Sequence, residues 1–128
     1  TIPPKLFKRI KKIRWSFMNR KDRDRYGHAY AWYCKQLLDR YVVLPSGEVT
    51  RQRRGNPSGQ ISTTMDNNMM NYWLQAFEFY YFHGENSTSL WSSYDTLIYG
   101  DDRLNTTPVL PDNYVERVVD MYKQVFGM

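Results

Sequence analysis

The sequence predicts an α+β fold, and three observations support this class. Apolar residues recur at helical spacing in several long segments. Two shorter segments, "YVVLPSGEVTRQR" and "TLIYGDDRL", have the apolar flanks and central turn residues of hairpins. These elements follow one another without an internal repeat, in the order helix, helix, hairpin, helix, hairpin, helix. Helices combined with hairpins favour an antiparallel sheet packed on helices.

Length and composition are those of one folded domain. The 128 residues suffice for a modest core, and 41% hydrophobic with 16% aromatic residues argues against disorder. No apolar run approaches the roughly 20 residues needed to span a bilayer, so no transmembrane segment is expected. The single cysteine, Cys34, excludes an internal disulfide.

Charge is divided unevenly along the chain. Residues 1–54 carry 15 Lys and Arg against 4 Asp and Glu, a local charge of +11. Residues 55–128 carry 3 against 9, a local charge of −6. A basic half would attract phosphate backbones and an acidic half could hold divalent cations, although basic runs such as "KRIKKIR" also occur as solvated helix faces.

Two helices are predicted before the first hairpin. The first starts at Pro3-Pro4, because proline suits the first turn of a helix. The "NRKDRDR" run predicts a charged break, and the second helix is expected from about Tyr26 to Arg40. The residues expected to face inward are Leu6, Ile10, Ile13 and Phe17 in the first helix, and Tyr30, Tyr33, Leu37 and Leu38 in the second.

A third helix is predicted from near Ser62 to about Phe82. Its apolar stripe is expected to pack inward and its polar stripe to face away. The apolar stripe comprises Met65, Met69, Trp73, Phe77 and Tyr80, and the polar stripe Thr64, Asn67, Asn68, Asn71, Gln75 and Glu78. "HGENSTS" is predicted as loop. Asp112 is expected to cap a last helix with Val115, Val118, Val119 and Tyr122 inward.

The tetrapeptide Tyr99-Gly100-Asp101-Asp102 places two carboxylates at a predicted hairpin tip. Carboxylates held by flanking strands can present oxygens to a hard cation such as Mg²⁺. Neighbouring strand residues point to opposite sides, so the two aspartates should differ in role, with Asp101 the principal ligand and Asp102 a secondary one. The alternative is a plain exposed turn, since Gly and Asp are common turn residues.

The stretch "GNPSGQISTTMDNN" is a flexible loop followed by a polar helix start. Gly55, Pro57 and Gly59 are expected to form a loop whose backbone can approach a ligand closely and change shape, with Ser58 at its crest. Thr63 and Asn67 are spaced i, i+4 and should share one helix face. A hydroxyl and an amide there could bind the hydroxyls of a sugar. The alternative is a Ser/Thr-rich helix cap.

Together these two motifs resemble the palm domain of positive-strand RNA virus RNA-dependent RNA polymerases. The Gly-x-Pro-Ser-Gly-x-x-x-Thr-x-x-x-Asn stretch is similar to motif B of that family, and Tyr-Gly-Asp-Asp to motif C. "TIPPKLF", "RQRRGNPSGQISTTMDNNMMN" and "YGDDRL" are most similar to the astrovirus branch. The resemblance covers essentially residues 1–128, which would form a partial palm domain running from after motif A into motif D.

The resemblance implies a function for each motif residue. It implies template-directed RNA synthesis with RNA template, primer or nascent strand and nucleoside triphosphates as partners, in the host cytoplasm at viral replication complexes. Asp101 and Asp102 would be catalytic ligands of Mg²⁺, with Mn²⁺ as a substitute. Ser58, Thr63 and Asn67 would hold the ribose of the incoming nucleotide, and Gly59 would let the loop hinge.

The sequence departs from the complete family pattern. The Asp-x-x-x-x-Asp pair of motif A is not present, and Asp22 and Asp24 have the wrong spacing to replace it. The basic fingers motif and the motif D lysine are also missing. The chain is therefore expected to be a fragment that needs the remainder of the polymerase, with motif A, fingers and thumb, and to be inactive alone.

Other interpretations remain open from the sequence. Arg51, Arg53 and Arg54 could contact template phosphates or lie on a solvated edge strand. The chain could instead be a non-catalytic basic RNA-binding module, or belong to a reverse transcriptase, whose sugar gate would block the 2′ position. The polymerase interpretation requires the tip carrying Asp101 to lie beside the Asn67 end of the third helix.

Overall fold

A computed structural model describes residues 2–128 and shows mixed helices and strands, which confirms the α+β class. Two small antiparallel hairpins pack on helices, and they form separate two-stranded sheets. The elements in chain order are α1 (Pro4–Ser16), α2 (Arg20–Leu38), β1 (Arg40–Val43), β2 (Val49–Gln52), α3 (Thr63–His83), α4 (Ser87–Trp91), β3 (Asp95–Tyr99), β4 (Asp102–Thr106) and α5 (Tyr114–Met121). A 3₁₀ turn, Gly84–Asn86, precedes α4, and a π-helical segment, Tyr122–Phe126, extends α5.

The chain divides into two compact units, Thr1–Ile61 and Ser62–Met128. In the first unit α1 packs against α2 through buried apolar side chains. Trp15 stacks on Tyr30 with ring centroids 4.4 Å apart, and the Tyr30 hydroxyl donates to the Lys11 carbonyl at 2.9 Å. The buried apolar residues of this unit are Leu6, Phe7, Ile10, Leu37 and Leu38. Most of the predicted inward positions of α1 and α2 are therefore at least partly buried, but Phe17 follows the end of α1 and is exposed.

The predicted break at "NRKDRDR" is wrong, because α2 begins there. The side chain of Asn19 accepts a hydrogen bond from the Asp22 backbone N–H at 2.9 Å and caps the first turn. An acidic residue in the first turn also interacts favourably with the helix dipole. The charged residues are thus an exposed, capped helix start, and α2 runs six residues further towards the N-terminus than the apolar pattern indicated.

The predicted first hairpin is confirmed as β1 and β2, which pair from Arg40 opposite Gln52 to Val43 opposite Val49. Its turn contains Gly47 at φ 87°, a conformation that glycine adopts without steric cost. The Arg40 guanidinium donates to Gln52 across the strands at 2.8 Å and to the Leu37 carbonyl at 2.7 Å. These contacts fix the hairpin to the end of α2.

The second unit is built on α3, which spans Thr63–His83 within about one residue of its predicted bounds. It packs against β3, while α4 and α5 complete the unit. The apolar core contains Met70, Leu74, Phe79 and Met121. A cluster of aromatic rings surrounds the second half of α3, including Phe79 in contact with Trp91 and Tyr94.

The prediction that the polar stripe of α3 faces away from the core, and the apolar stripe towards it, is wrong at several positions. Gln75 and Glu78 are 0% and 3% exposed, whereas Met65 and Tyr80 are 56% and 60% exposed. Polar side chains can be buried where hydrogen-bond partners meet them, and here β4 and α5 supply partners for Glu78. The apolar stripe is therefore shared between the core and the surface of this chain.

Two further expectations differ from the structure. "HGENSTS" is not a loop but contains the 3₁₀ turn and the start of α4. The last helix begins after Asn113, in the left-handed conformation at φ 54°, rather than under a cap from Asp112. Val115 and Val119 are exposed, and Met121 is the buried residue of α5.

Candidate active site

The tip of the β3–β4 hairpin carries the two predicted carboxylates. Tyr99 pairs with Asp102, so Gly100 and Asp101 form a two-residue turn. Gly100 has φ 65° while Asp101 does not have a positive φ, as in type II′ turns with glycine in the first central position. Asp101 and Asp102 are both exposed to solvent. The hairpin therefore presents both carboxylates to solvent, where a ligand can reach them.

Two asparagines of α3 hold the backbone of this turn. The Gly100 N–H donates to Asn68 Oδ1 at 2.6 Å. Asn71 Nδ2 lies 3.1 Å from the Asp101 carbonyl, 3.3 Å from that of Asp102 and 3.4 Å from that of Gly100. The tip thus lies beside the N-terminal half of α3, as the polymerase interpretation requires. Sequence analysis missed both contacts, because it assigned these asparagines to a face turned away.

Thr63 and Asn67 occupy the first turns of α3, and both are half-buried. Beside them the Ser62 hydroxyl donates to Asp66 Oδ2 at 3.0 Å, and Asp66 is fully buried. This bond ties the start of the helix to its own first turn. Thr63 and Asn67 lie in the same unit as the hairpin tip, and Asn67 directly precedes Asn68, one of the two asparagines that contact the turn.

Ser58 and Gly59 belong to the first unit and lie at an exposed crest. The Gln60 amide donates to Asn56 Oδ1 at 3.2 Å and bridges the loop beneath the crest. The Tyr33 hydroxyl of α2 donates to Gln60 Oε1 at 2.9 Å. Gly59 has φ 80° and open space around the position of a Cβ, so its conformation rather than crowding favours glycine. The loop therefore has a supported base and an accessible crest.

The three candidate arginines differ in their surroundings. Arg51 makes a two-pronged ion pair with Asp39, with N···O distances of 2.6 and 2.5 Å. The hydrogen bond from Arg51 is the main cause that lowers the pKa of Asp39 below its ordinary value. Arg53 lies 3.9 Å from the same carboxylate, and all three arginines are exposed. A contact between Arg51 and RNA phosphates would therefore compete with Asp39.

A buried ionic cluster joins α3 to β4 and α5, and the sequence did not predict it. Glu78 of α3 pairs with Arg103 of β4 and accepts hydrogen bonds from Tyr114 and, at 3.3 Å, from Tyr122. Burial raises the pKa of Tyr114, and the hydrogen bond to Glu78 raises it further. Burial acts to lower the pKa of Arg103, but the interactions with Glu78 and Tyr122 together more than offset this and the pKa is raised. A glutamate within an aromatic helix segment was the available sequence signal.

The donor atoms at the tip suit a hard cation but are too few to hold one. Within residues 2–128, no three acidic, histidine or cysteine side chains form a group that could hold a metal ion. Asp101 and Asp102 supply oxygen donors, whereas Mg²⁺ is coordinated by about six oxygens. A complete site would need further ligands from elsewhere.

In the part of the chain that the structure describes, no helix is both long and apolar enough to cross a lipid bilayer.

Comparison with known proteins assigns the chain to a family. It is 65% identical over 128 residues to the non-structural polyprotein 1AB of Human astrovirus-5 and 64% identical to that of Human astrovirus-1, covering 100% of this chain and 9% of each polyprotein. It is 42% identical over 139 residues to that of Turkey astrovirus 2, covering 100% of this chain and 8% of the polyprotein. No solved structure matches the chain. The chain thus spans less than a tenth of the length of these relatives.

The family model described as viral RNA-dependent RNA polymerase matches residues 1–128, which include the loop crest, the asparagine-bearing helix and the Gly-Asp-Asp tip. The two motifs that first indicated this family lie on a loop–helix and on a hairpin, as expected. Because the family model also matches the whole chain, this chain belongs to the viral RNA-dependent RNA polymerases.

Proposed function

We propose that this chain is part of the palm of a polymerase that performs template-directed RNA synthesis. The reaction would transfer a nucleoside monophosphate from a nucleoside triphosphate to an RNA 3′-hydroxyl. The observation that carries the proposal is the hairpin tip, where Asp101 and Asp102 are exposed while α3 grips the turn backbone. Fixed carboxylates beside a polar helix start suit a site for phosphates and a sugar.

Asp101 and Asp102 would hold Mg²⁺, or Mn²⁺ in its place, together with carboxylates from motif A. The bound ions would supply charge stabilisation for the attacking and leaving oxygens of an in-line phosphoryl transfer. Asp101 lies in the turn itself, whereas Asp102 begins β4 and pairs with Tyr99. This difference supports a principal role for Asp101 and an assisting one for Asp102.

Ser58, Thr63 and Asn67 would bind the ribose of the incoming nucleotide, and Gly59 would let the loop change shape as the template advances. The exposed crest at Ser58 and Gly59 supports the loop role, and the position of Asn67 near the gripped tip supports the ribose role. An amide can both donate to and accept from a 2′-hydroxyl, which favours ribonucleotides over deoxyribonucleotides. Arg51, Arg53 and Arg54 would contact the RNA backbone.

We infer that the rest of the polymerase is required for activity, with motif A, fingers and thumb supplied by other parts of a longer chain. We also infer that synthesis occurs in the host cytoplasm at viral replication complexes. The two carboxylates at the tip are fewer than a complete metal site needs. The test is nucleotide incorporation on a primed RNA template with Mg²⁺, comparing the full-length polymerase with residues 1–128 alone. Incorporation by the full-length protein alone is expected. Robust synthesis by the 128-residue chain would overturn the requirement, and an inactive full-length protein would overturn the function.

The ribose role predicts a change in sugar selectivity. Asn67→Ala in the full-length polymerase should reduce the preference for ribonucleotides over deoxyribonucleotides by about 5-fold, because one hydrogen bond to the 2′-hydroxyl contributes on the order of 1 kcal/mol. The measurement is kcat/KM for both nucleotide types. Asn86→Ala is the matched control, since Asn86 is exposed and uses its backbone carbonyl, not its side chain, to accept from Ser89. Unchanged selectivity in Asn67→Ala would remove this role and would revive the question of a reverse transcriptase.

The second candidate is a non-catalytic basic RNA-binding module, favoured by the +11 charge of residues 1–54, with 15 basic and 4 acidic residues. It predicts RNA binding without any Mg²⁺-dependent step. It gives no reason for two exposed carboxylates on a turn whose backbone is gripped by a neighbouring helix.

A further inference from the structure

We propose that Asn71, assisted by Asn68, is a positioning residue that sets the geometry of the carboxylate-bearing turn. This inference rests on the proposed function and adds a role for two residues outside the motif positions considered above. Asn68 and Asn71 are spaced i, i+3 on α3, so they lie on neighbouring positions of one helix face. Both side chains contact the turn backbone and neither contacts a carboxylate of the turn.

The hydrogen bonds determine which end of each amide faces the turn. The Gly100 N–H is a donor, so Asn68 must present its oxygen. The three carbonyls of Gly100, Asp101 and Asp102 are acceptors, so Asn71 must present its nitrogen. Asn68 therefore accepts a hydrogen bond from the turn, whereas Asn71 donates to it.

The contacts of Asn71 cover the residues that bear the carboxylates. Its amide nitrogen has two N–H groups shared among three successive carbonyls at 3.1–3.4 Å. This draws the carbonyls of the turn towards α3, while the Asp101 and Asp102 side chains are exposed to solvent. A residue that fixes a ligand's backbone limits the directions its carboxylate can take, as partners behind metal ligands generally do.

The different chemistry of the two asparagines provides a matched test in the full-length polymerase. Asn68→Asp keeps the acceptor that Gly100 needs, whereas Asn71→Asp loses the donor that the carbonyls need. Both changes add one negative charge at neighbouring positions, so they differ mainly in the hydrogen bond. Asn71→Ala removes the donor without adding charge and favours helix, so it carries the test if Asn71→Asp does not fold.

The first measurement is amide hydrogen exchange of the peptide covering residues 99–103. Exchange should be faster in Asn71→Asp and Asn71→Ala and near wild type in Asn68→Asp, while Asn68→Ala should accelerate exchange at Gly100. The second measurement is steady-state kinetics. For Asn71→Asp and Asn71→Ala, kcat should fall about 10- to 100-fold with the RNA Kd unchanged, a loss typical of residues that support metal ligands.

The outcomes separate this inference from the proposed function. A wild-type polymerase that fails to extend a primer would refute the function. An active wild type whose Asn71 variants show unchanged exchange and unchanged kcat would refute the positioning role. Equal losses in Asn68→Asp and Asn71→Asp, with Asn71→Ala unaffected, would assign the effect to added charge and would likewise overturn it.

Discussion

Asp101→Ala in the full-length polymerase is expected to abolish RNA synthesis, with kcat/KM lowered by at least about 1000-fold, or roughly 4 kcal/mol of transition-state stabilisation. The Asp101 side chain is exposed and has no hydrogen-bond or ion-pair partner within residues 2–128. Its backbone carbonyl accepts from Asn71, and alanine retains that carbonyl. The substitution therefore removes a proposed metal ligand without removing a contact that supports the fold.

The measurement combines primer extension with RNA affinity at one fixed salt concentration, because phosphate contacts make affinity depend on salt. RNA Kd should stay within about twofold of wild type, since one fewer carboxylate leaves every basic residue in place. Asp120→Ala is the matched control: it removes the same charge from an exposed position on α5 and should leave synthesis unchanged. Activity in Asp101→Ala near that of Asp120→Ala would contradict the proposed site and favour the RNA-binding module.

Glu78→Ala is expected to destabilise the fold strongly, by about 3–5 kcal/mol, the usual cost of removing one partner from a buried ion pair. Glu78 is almost fully buried, pairs with Arg103 and accepts from Tyr114 and Tyr122. Its loss leaves the Arg103 guanidinium buried without its carboxylate and two tyrosine hydroxyls without their acceptor. The substitution would remove the contact that joins α3 to β4, to α5 and to the π-helical segment after it.

The measurement is the denaturant midpoint of the full-length polymerase, with local hydrogen exchange over β4 to locate the loss. Glu116→Ala serves as control, because Glu116 is exposed on α5 and should change stability by less than about 0.5 kcal/mol. Glu78→Gln should fall between the two, since an amide oxygen still accepts hydrogen bonds but carries no charge. Equal stability of Glu78→Ala and Glu116→Ala would show that the cluster does not stabilise this unit.

Local signals in the sequence predicted the hairpin tip and the bounds of α3 well. Glycine and paired aspartates between apolar strands specify a tight turn within a few residues, and the structure places that turn at Gly100 and Asp101. The start of α2 was missed because its signal was a cap, Asn19, rather than an apolar period. The apolar pattern alone therefore placed the helix six residues too late.

The faces of α3 could not be predicted, because their partners are distant in sequence. Asn68 meets Gly100 32 positions later, and Glu78 meets Tyr114 36 positions later. An apolar–polar pattern records which side chains avoid water, but not which polar side chains find partners inside. The roles of Ser58, Thr63, Asn67, Asp101 and Asp102 stay predictions, and the kinetic experiments above address those of Asn67 and Asp101.

The ion pair between Glu78 and Arg103 also fixes the alignment of the two strands. Arg103 follows Asp102 directly, and adjacent strand residues face opposite sides of a sheet. A slip of β4 by one position would turn Asp102 towards Glu78 and the guanidinium towards solvent, so two carboxylates would meet without a cation between them. The buried ion pair therefore favours the one β3–β4 register in which the Asp101 and Asp102 side chains face solvent.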